Sequence, residues 1–200
     1  MFYSTDTNAH GLSHDPFKAI VSPRPIGWIG TQAGDGSHNL APYSFFNAIC
    51  DVPKLVMFSS GGRKDSVRNI EETGEFTASF VGRALSEAMN TTSAMVPHGE
   101  SEFDLAGLTP VVGQLVAAPY VGEAFAALEC RVTESFRPKG LDGEMSNNYV
   151  VIGQVVGIHI REEAIRDGRF DAGLVRPIGR MGYMDYCDAG DVFEMMRPKR

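Results

Sequence analysis

The segment NYVVIGQVVGIHI, residues Asn148–Ile160, limits the fold more than any other. It is dominated by valine and isoleucine, whose branching at Cβ stiffens the side chain and favours a pleated strand. It is long for a strand, and Gly153 and Gly157 interrupt it, so we expect bulges there and a bent element. Period-two alternation recurs elsewhere. EFTASFV sets Phe76, Ala78 and Phe80 against Thr77 and Ser79, and ALECRVTESF over residues 127–136 alternates as well.

Three more strands are expected, over residues 20–31, 39–48 and 54–60. Asp35-Gly36 is a turn signal between the first two, and Gly61-Gly62 closes the third. The second, NLAPYSFFNA, contains Pro42, which cannot donate to a ladder and so argues against a central position. Helices are expected over residues 64–73, ending at Gly74 as a C-cap, over 83–94, and as a short piece over 101–106. Six strands with helices inserted between them make the chain mainly β, a barrel or sandwich and not a series of βαβ units. The 22 glycines and 11 prolines agree with a fold rich in turns. Two hundred residues without a repeat, a low-complexity tract or a linker are expected to form one domain over residues 1–200.

Charge and cysteine usage exclude several classes. A net charge of −7 is wrong for nonspecific nucleic-acid binding, which needs a basic surface. Cys50, Cys130 and Cys187 are scattered and odd in number, against a disulfide framework or a cysteine zinc site. They fit a reducing compartment. The N-terminal stretch has no apolar h-region. The most apolar region, residues 111–128, is broken by Gln114, Pro119 and Glu123 and is too interrupted for a membrane span. The expected location is cytoplasmic, without a membrane or nucleic-acid partner.

SSGGRKDSVRNI carries the strongest local chemistry. A strand ends at Ser59-Ser60, two glycines follow, then Arg63 and Lys64, and a helix opens near Asp65 or Ser66. A helix N-terminus offers unpaired N–H groups and the positive end of its dipole. Hydroxyls and two cations beside it suit one phosphate group. The same residues also make an ordinary turn with an Asp N-cap and solvated cations. The G-x-x-x-x-G-K-[ST] and G-x-G-x-x-G patterns are absent. His10 and His14 stand four apart, but Gly11 and Pro16 spoil the helix that would make them a metal site. His159, within GIHI, reads first as a structural histidine on a strand. No paired carboxylates mark an acid/base site.

SPRPIGWIGT, NLAPYSFFNA and RKDSVRNIEETGEF, in this order and at these separations, resemble the flavin reductase-like family of FMN-binding split-barrel proteins. GESEFDLAGLTP (residues 99–110), ALEC, GQVVGIHI and the tail RPIGRMGYMDY extend the resemblance over nearly the whole chain. Ser66 stands where the family usually has threonine and keeps the hydroxyl. Tyr183 follows Gly182 where the family often has a second glycine.

The resemblance implies a split β-barrel homodimer with FMN near the subunit interface. Its phosphate would lie at Ser59, Ser60, Arg63, Lys64, Asp65 and Ser66. Arg24 and Pro25 would line the flavin, and Ala41, Pro42, Tyr43, Ser44 and Asn47 would hydrogen-bond the polar edge of its ring. The implied activity is NAD(P)H-dependent flavin reduction, with hydride delivered to flavin N5 by the cofactors' own chemistry. Reduced flavin could then serve a separate oxygenase or redox partner. His159 is a candidate for the nicotinamide side. A non-enzymatic FMN electron carrier, as in flavoredoxin, uses the same site. A split barrel that has lost flavin is a third alternative, opposed by the intact Lys64-Asp65-Ser66.

Overall fold

The computed structural model describes residues 1–97 and 100–198. Gly99, which opens one of the matched segments, and the last two residues of the expected 1–200 domain lie outside the described residues. A short helix, α1 (Phe17–Ile20), is followed by β1 (Arg24–Pro25) and β2 (Gly27–Gln32). The strand expected over 20–31 is therefore divided. Pro23 and Pro25 cannot donate to a ladder, so continuous pairing starts only at Gly27. Two strands, β3 (His38–Tyr43) and β4 (Phe46–Cys50), replace the single one expected over 39–48.

The next elements are β5 (Leu55–Gly61), α2 (Asp65–Thr73) and β6 (Glu75–Ser79). Gly74 ends α2 in the left-handed region at φ 71°, and its N–H donates to the Ile70 carbonyl at 2.8 Å. A 3-10 turn at Arg83–Leu85 and α3 (Ser86–Thr91) form a shorter helical unit than the 83–94 expected. Then come α4 (Glu102–Ala106), β7 (Pro110–Val112), β8 (Pro119–Val121), β9 (Ala126–Phe136) and β10 (Asn148–Ile160). Beyond them lie the short β11 (Ile165–Arg166), β12 (Arg169–Phe170), α5 (Ala172–Val175), β13 (Ile178–Arg180) and β14 (Tyr186–Asp188).

Seven strands form one antiparallel sheet in the order β3-β2-β6-β9-β10-β5-β4. Strands β3 and β4 occupy its opposite edges, yet only Ser44 and Phe45 separate them in sequence. Two residues span roughly 10 Å at most, so the sheet must curl until its edges nearly meet. Beside that seam the Ser59 N–H donates to the Phe45 carbonyl at 2.8 Å, which extends the β4–β5 pairing. This is a split barrel, as expected. The bending comes from β10, whose register with β9 shifts between Ile152 and Gly153 and again between Val155 and Gly157. At Gly153 a Cβ would run into the fully buried Phe76 ring.

Inside the barrel, Ile29, Tyr43, Val56, Phe58, Phe76 and Val151 pack together, with Tyr43 and Phe58 ring centroids 4.8 Å apart across the seam. A second cluster, including Trp28, Leu40, Met89, Phe103 and Val121, lies between the sheet and the α3–α4 layer. Strand β2 contributes Ile29 to one cluster and Trp28 to the other, so five of its six residues are buried.

Candidate functional site

Strand β3 has a free edge. Leu40 points its N–H away from β2, and the carboxylate of Glu102, from α4, accepts it at 2.9 Å. Pro42 lies two residues on and shares that outward orientation. Its missing N–H is one that would have had no ladder partner, which is why a proline is tolerated there. Across from this edge stands the first turn of α2. Lys64 is its N-cap in extended geometry and no side chain caps it. Asp65 is the first helical residue, so the Asp N-cap of the ordinary-turn reading is not formed.

Between these elements lies a cavity of about 470 Å³. Ala41, Pro42 and Tyr43 line one side, Arg63, Lys64, Asp65 and Ser66 another, and residues 92–96 with Glu102 a third. Seven of the expected site residues are thereby brought together. The cations differ in their engagement. Arg63 pairs with Glu71 at 2.7 Å, and Arg68 pairs with Asp65. The Lys64 ammonium has no ion pair or hydrogen bond among the described residues. Ser66 is buried and accepts a hydrogen bond from Asn39 Nδ2 at 3.0 Å.

The Tyr43 hydroxyl is buried beside the Ser60 and Ser66 hydroxyls without forming a well-shaped hydrogen bond to any group. Burial pushes its pKa above the ordinary tyrosine value; the serines oppose this and the Glu102 and Asp65 charges add to it. Burial likewise raises Glu102. The backbone N–H groups of Leu40 and Glu102 oppose that shift, and the Asp65 charge adds to it.

The other expected residues lie outside this cavity. Ser60 donates to the Gly62 carbonyl, and Ser59, on the opposite face of β5, accepts from Asn148 Nδ2 at 3.0 Å. Asn47 is exposed and its Oδ1 accepts from the Ala48 N–H. Ser44 sits in the β3–β4 seam. Pro25 lines a separate apolar cavity of about 220 Å³ with Ile26 and Phe46. Arg24 is buried, and its guanidinium donates to the Lys18, Val21 and Met181 carbonyls, which pins α1 and the tail to β1. Its head is a structural tie within this chain.

His159 is likewise tied down. Its Nε2 donates to Glu129 Oε1, and its ring stacks on Tyr120 at 4.4 Å. Glu129 is buried and also accepts the N–H groups of Gln114, Leu115 and Val116 at 2.8, 2.6 and 2.9 Å. Burial alone would raise its pKa, but the bonds from Gln114, His159, Leu115 and Val116 hold it below the ordinary carboxylate value. Within one chain His159 does not line the cavity. Sequence reasoning missed Glu102 and residues 92–96, which no local pattern connects to β3. Asn39 was legible only as part of NLAPYSFFNA.

A family model described as the flavin reductase like domain matches residues 21–177. The chain belongs to this family. An uncharacterized protein of Halalkalibacterium halodurans is 35% identical to it over 183 residues, covering 89% of this chain and 87% of that one. Nitrilotriacetate monooxygenase component B from Bacillus cereus superposes with a TM-score of 0.88 at 30% identity, covering 98% of each chain. Flavoredoxin of Desulfovibrio vulgaris superposes with a TM-score of 0.78 at 25% identity, covering 98% of this chain and 97% of that one. In this chain Tyr183, a non-glycine residue, stands at φ 56°, a conformation that favours glycine. Membership places it among flavin-related oxidoreductases and electron carriers.

Proposed function

We propose that this chain binds FMN in the cavity between β3 and α2 and acts as an NAD(P)H-dependent flavin reductase. The observation that carries the proposal is the uncapped first turn of α2 beside the Lys64 ammonium, which has no partner among the described residues. An anion there gains helix N–H groups, the dipole and a free cation together. The residues fit a flavin in a second respect. The Tyr43 hydroxyl is a buried donor without a well-shaped hydrogen bond among the described residues, on β3 where a polar ring edge would lie.

Lys64, Ser66 and the Asp65–Ser66 backbone would hold the phosphate, with Arg63, Ser59 and Ser60 supporting the turn. Ala41, Pro42 and Tyr43 would meet the ring, with Ser44 and Asn47 beyond the seam and Arg24 and Pro25 on the neighbouring strand. When bound, FMN supplies the hydride- and electron-accepting ring, so the protein's own work is to hold and orient it.

A homodimer with FMN near its interface, a single domain over residues 1–200 and a cytoplasmic location belong to the same proposal. So does a partner that consumes reduced flavin, supported by the likeness to a monooxygenase component B. No helix among the described residues is long and apolar enough to cross a membrane. The likeness to flavoredoxin supports the second reading, an FMN electron carrier. Purified protein mixed with FMN and either NADH or NADPH separates the two. Catalysed loss of the nicotinamide absorbance is expected; bound FMN without such loss, with either nucleotide, would leave the carrier. Colourless protein that takes up no added FMN would exclude both.

A further inference from the structure

Two buried amide–hydroxyl bonds seat α2 on the barrel. Thr31 on β2 and Asn39 on β3 stand directly opposite each other in the ladder, so their side chains share one face of the sheet. Ile29, Ala41 and Tyr43 lie on that face too, and Ile70 of α2 packs into the same cluster. Asn39 Nδ2 donates to Ser66 Oγ at 3.0 Å, and Asn69 Nδ2 donates to Thr31 Oγ1 at 3.1 Å. Ser66 and Asn69 are three apart and lie on one side of the helix. All four residues are buried.

The direction of the first bond matters. A serine hydroxyl has one proton to give and two lone pairs. Asn39 donates, so it fills a lone pair of Ser66 and leaves the serine proton unspent. No carbonyl or carboxylate accepts that proton among the described residues, and the Tyr43 oxygen beside it makes no well-shaped hydrogen bond. Ser60, the other nearby hydroxyl, spends its own proton on the Gly62 carbonyl at 2.9 Å. Ser66 lines the cavity between β3 and α2 beside Lys64. Its proton is therefore a donor without an acceptor at the first turn of a helix, where an anion is favoured.

The second bond runs the other way. Asn69 sits on the helix and donates to the strand, and it does not line that cavity. It ties down the same helix without setting the polarity of Ser66.

We propose that Asn39 is a positioning residue for the anion site: it makes the Ser66 hydroxyl a dedicated donor to a phosphate monoester held at the first turn of α2. Asn39 acts through Ser66, by fixing which way the serine proton points. The inference rests on the FMN reading of that cavity and adds the residue that aims one of its phosphate donors.

Fluorescence titrations of the full chain with FMN and with riboflavin test it, alongside the thermal midpoint of each variant without ligand. Asn39→Ala should lower FMN affinity at least about fivefold, part of what a hydrogen bond to a charged group supplies, and leave riboflavin within about twofold. Asn39→Asp keeps the shape but reverses the bond, because a carboxylate takes the Ser66 proton. Its FMN affinity should fall further than that of Asn39→Ala. Asn69→Ala is the control for a merely structural role. It should lower the thermal midpoint as Asn39→Ala does, yet keep the FMN-to-riboflavin ratio within about twofold of wild type. In a Ser66→Ala background, Asn39→Ala should cost FMN less than about twofold more, because the group it aims is gone. That cycle carries the test alone if the buried aspartate prevents folding. The proposal is overturned if Asn69→Ala changes the ratio as much as Asn39→Ala, if the Asn39→Ala loss persists in full without the Ser66 hydroxyl, or if a folded Asn39→Asp binds FMN no worse than Asn39→Ala. An FMN preference that Asn39→Ala leaves intact overturns this inference alone. Wild type without any preference for FMN over riboflavin overturns it together with the phosphate reading.

Discussion

Tyr43 shows what a single buried group contributes at the residue scale. Its ring packs on Phe58, but its hydroxyl, beside those of Ser60 and Ser66, makes no well-shaped hydrogen bond among the described residues. Removing an unsatisfied hydroxyl costs the free protein little, whereas removing a donor used by a ligand costs about 0.5–1.5 kcal/mol. Tyr43→Phe should therefore leave the thermal midpoint of the ligand-free protein nearly unchanged and weaken FMN by that amount in a binding titration. Glu129 is the opposite case, fully satisfied by three backbone N–H groups and His159. Its folded pKa is depressed, so it stabilises the fold above its unfolded value of about 4.3 and loses that contribution as pH falls through the lower, folded value. In urea melts from pH 7 downwards, wild type should lose more stability below about pH 4 than Glu129→Gln does. At pH 7 the variant should be less stable by about 1.5–3 kcal/mol, the scale of hydrogen bonds to a charged group. Equal pH dependence of the two proteins would remove Glu129 from that role. Lys64 and Ser66 were legible as candidates for phosphate binding because their neighbours are local. Glu102 was not, because its partner Leu40 lies 62 positions away.

Strand β10 carries the most testable claim at the element scale. The glycines that mark its bulges were readable in the sequence, since little else explains glycine inside a β-branched run. Gly153→Ala sets a methyl against the Phe76 ring inside a packed barrel, where overpacking costs about 1–3 kcal/mol. A chemical melt should show that loss, and a variant as stable as wild type would mean the barrel wall yields there. The division of residues 39–48 into two strands was not readable. Its cause is the curl of the whole sheet, which sends the chain from one edge to the other through Ser44 and Phe45. Strands β11 to β14 were missed for another reason: each has only two or three residues, too few for a period to register. The helix expected over 83–94 ends at Thr91 because Thr92 turns its hydroxyl to Trp28 Nε1 at 2.8 Å and to the Met89 carbonyl. That is a tertiary contact overriding helical spacing.

The two edges of the barrel set what the whole molecule can do. One edge, β3, meets α2 and forms the cavity assigned here to FMN. The other, β4, is exposed together with Phe45, Ile49 and Val52, an unpaired edge with apolar side chains. The proposed homodimer would cover such a surface, and light scattering should then give twice the 21.7 kDa chain mass. A 21.7 kDa species at micromolar concentration would contradict it. The central claim is that the first turn of α2 receives the flavin phosphate. The measurement that reaches it most directly compares FMN with riboflavin, which lacks the phosphate, on wild type and Lys64→Ala by fluorescence titration. Wild type should prefer FMN, and the substitution should weaken FMN by about 1.5–3 kcal/mol, the scale of a hydrogen bond to a charged group, while riboflavin affinity stays the same. Equal losses for both ligands, or none for either, would place the phosphate elsewhere.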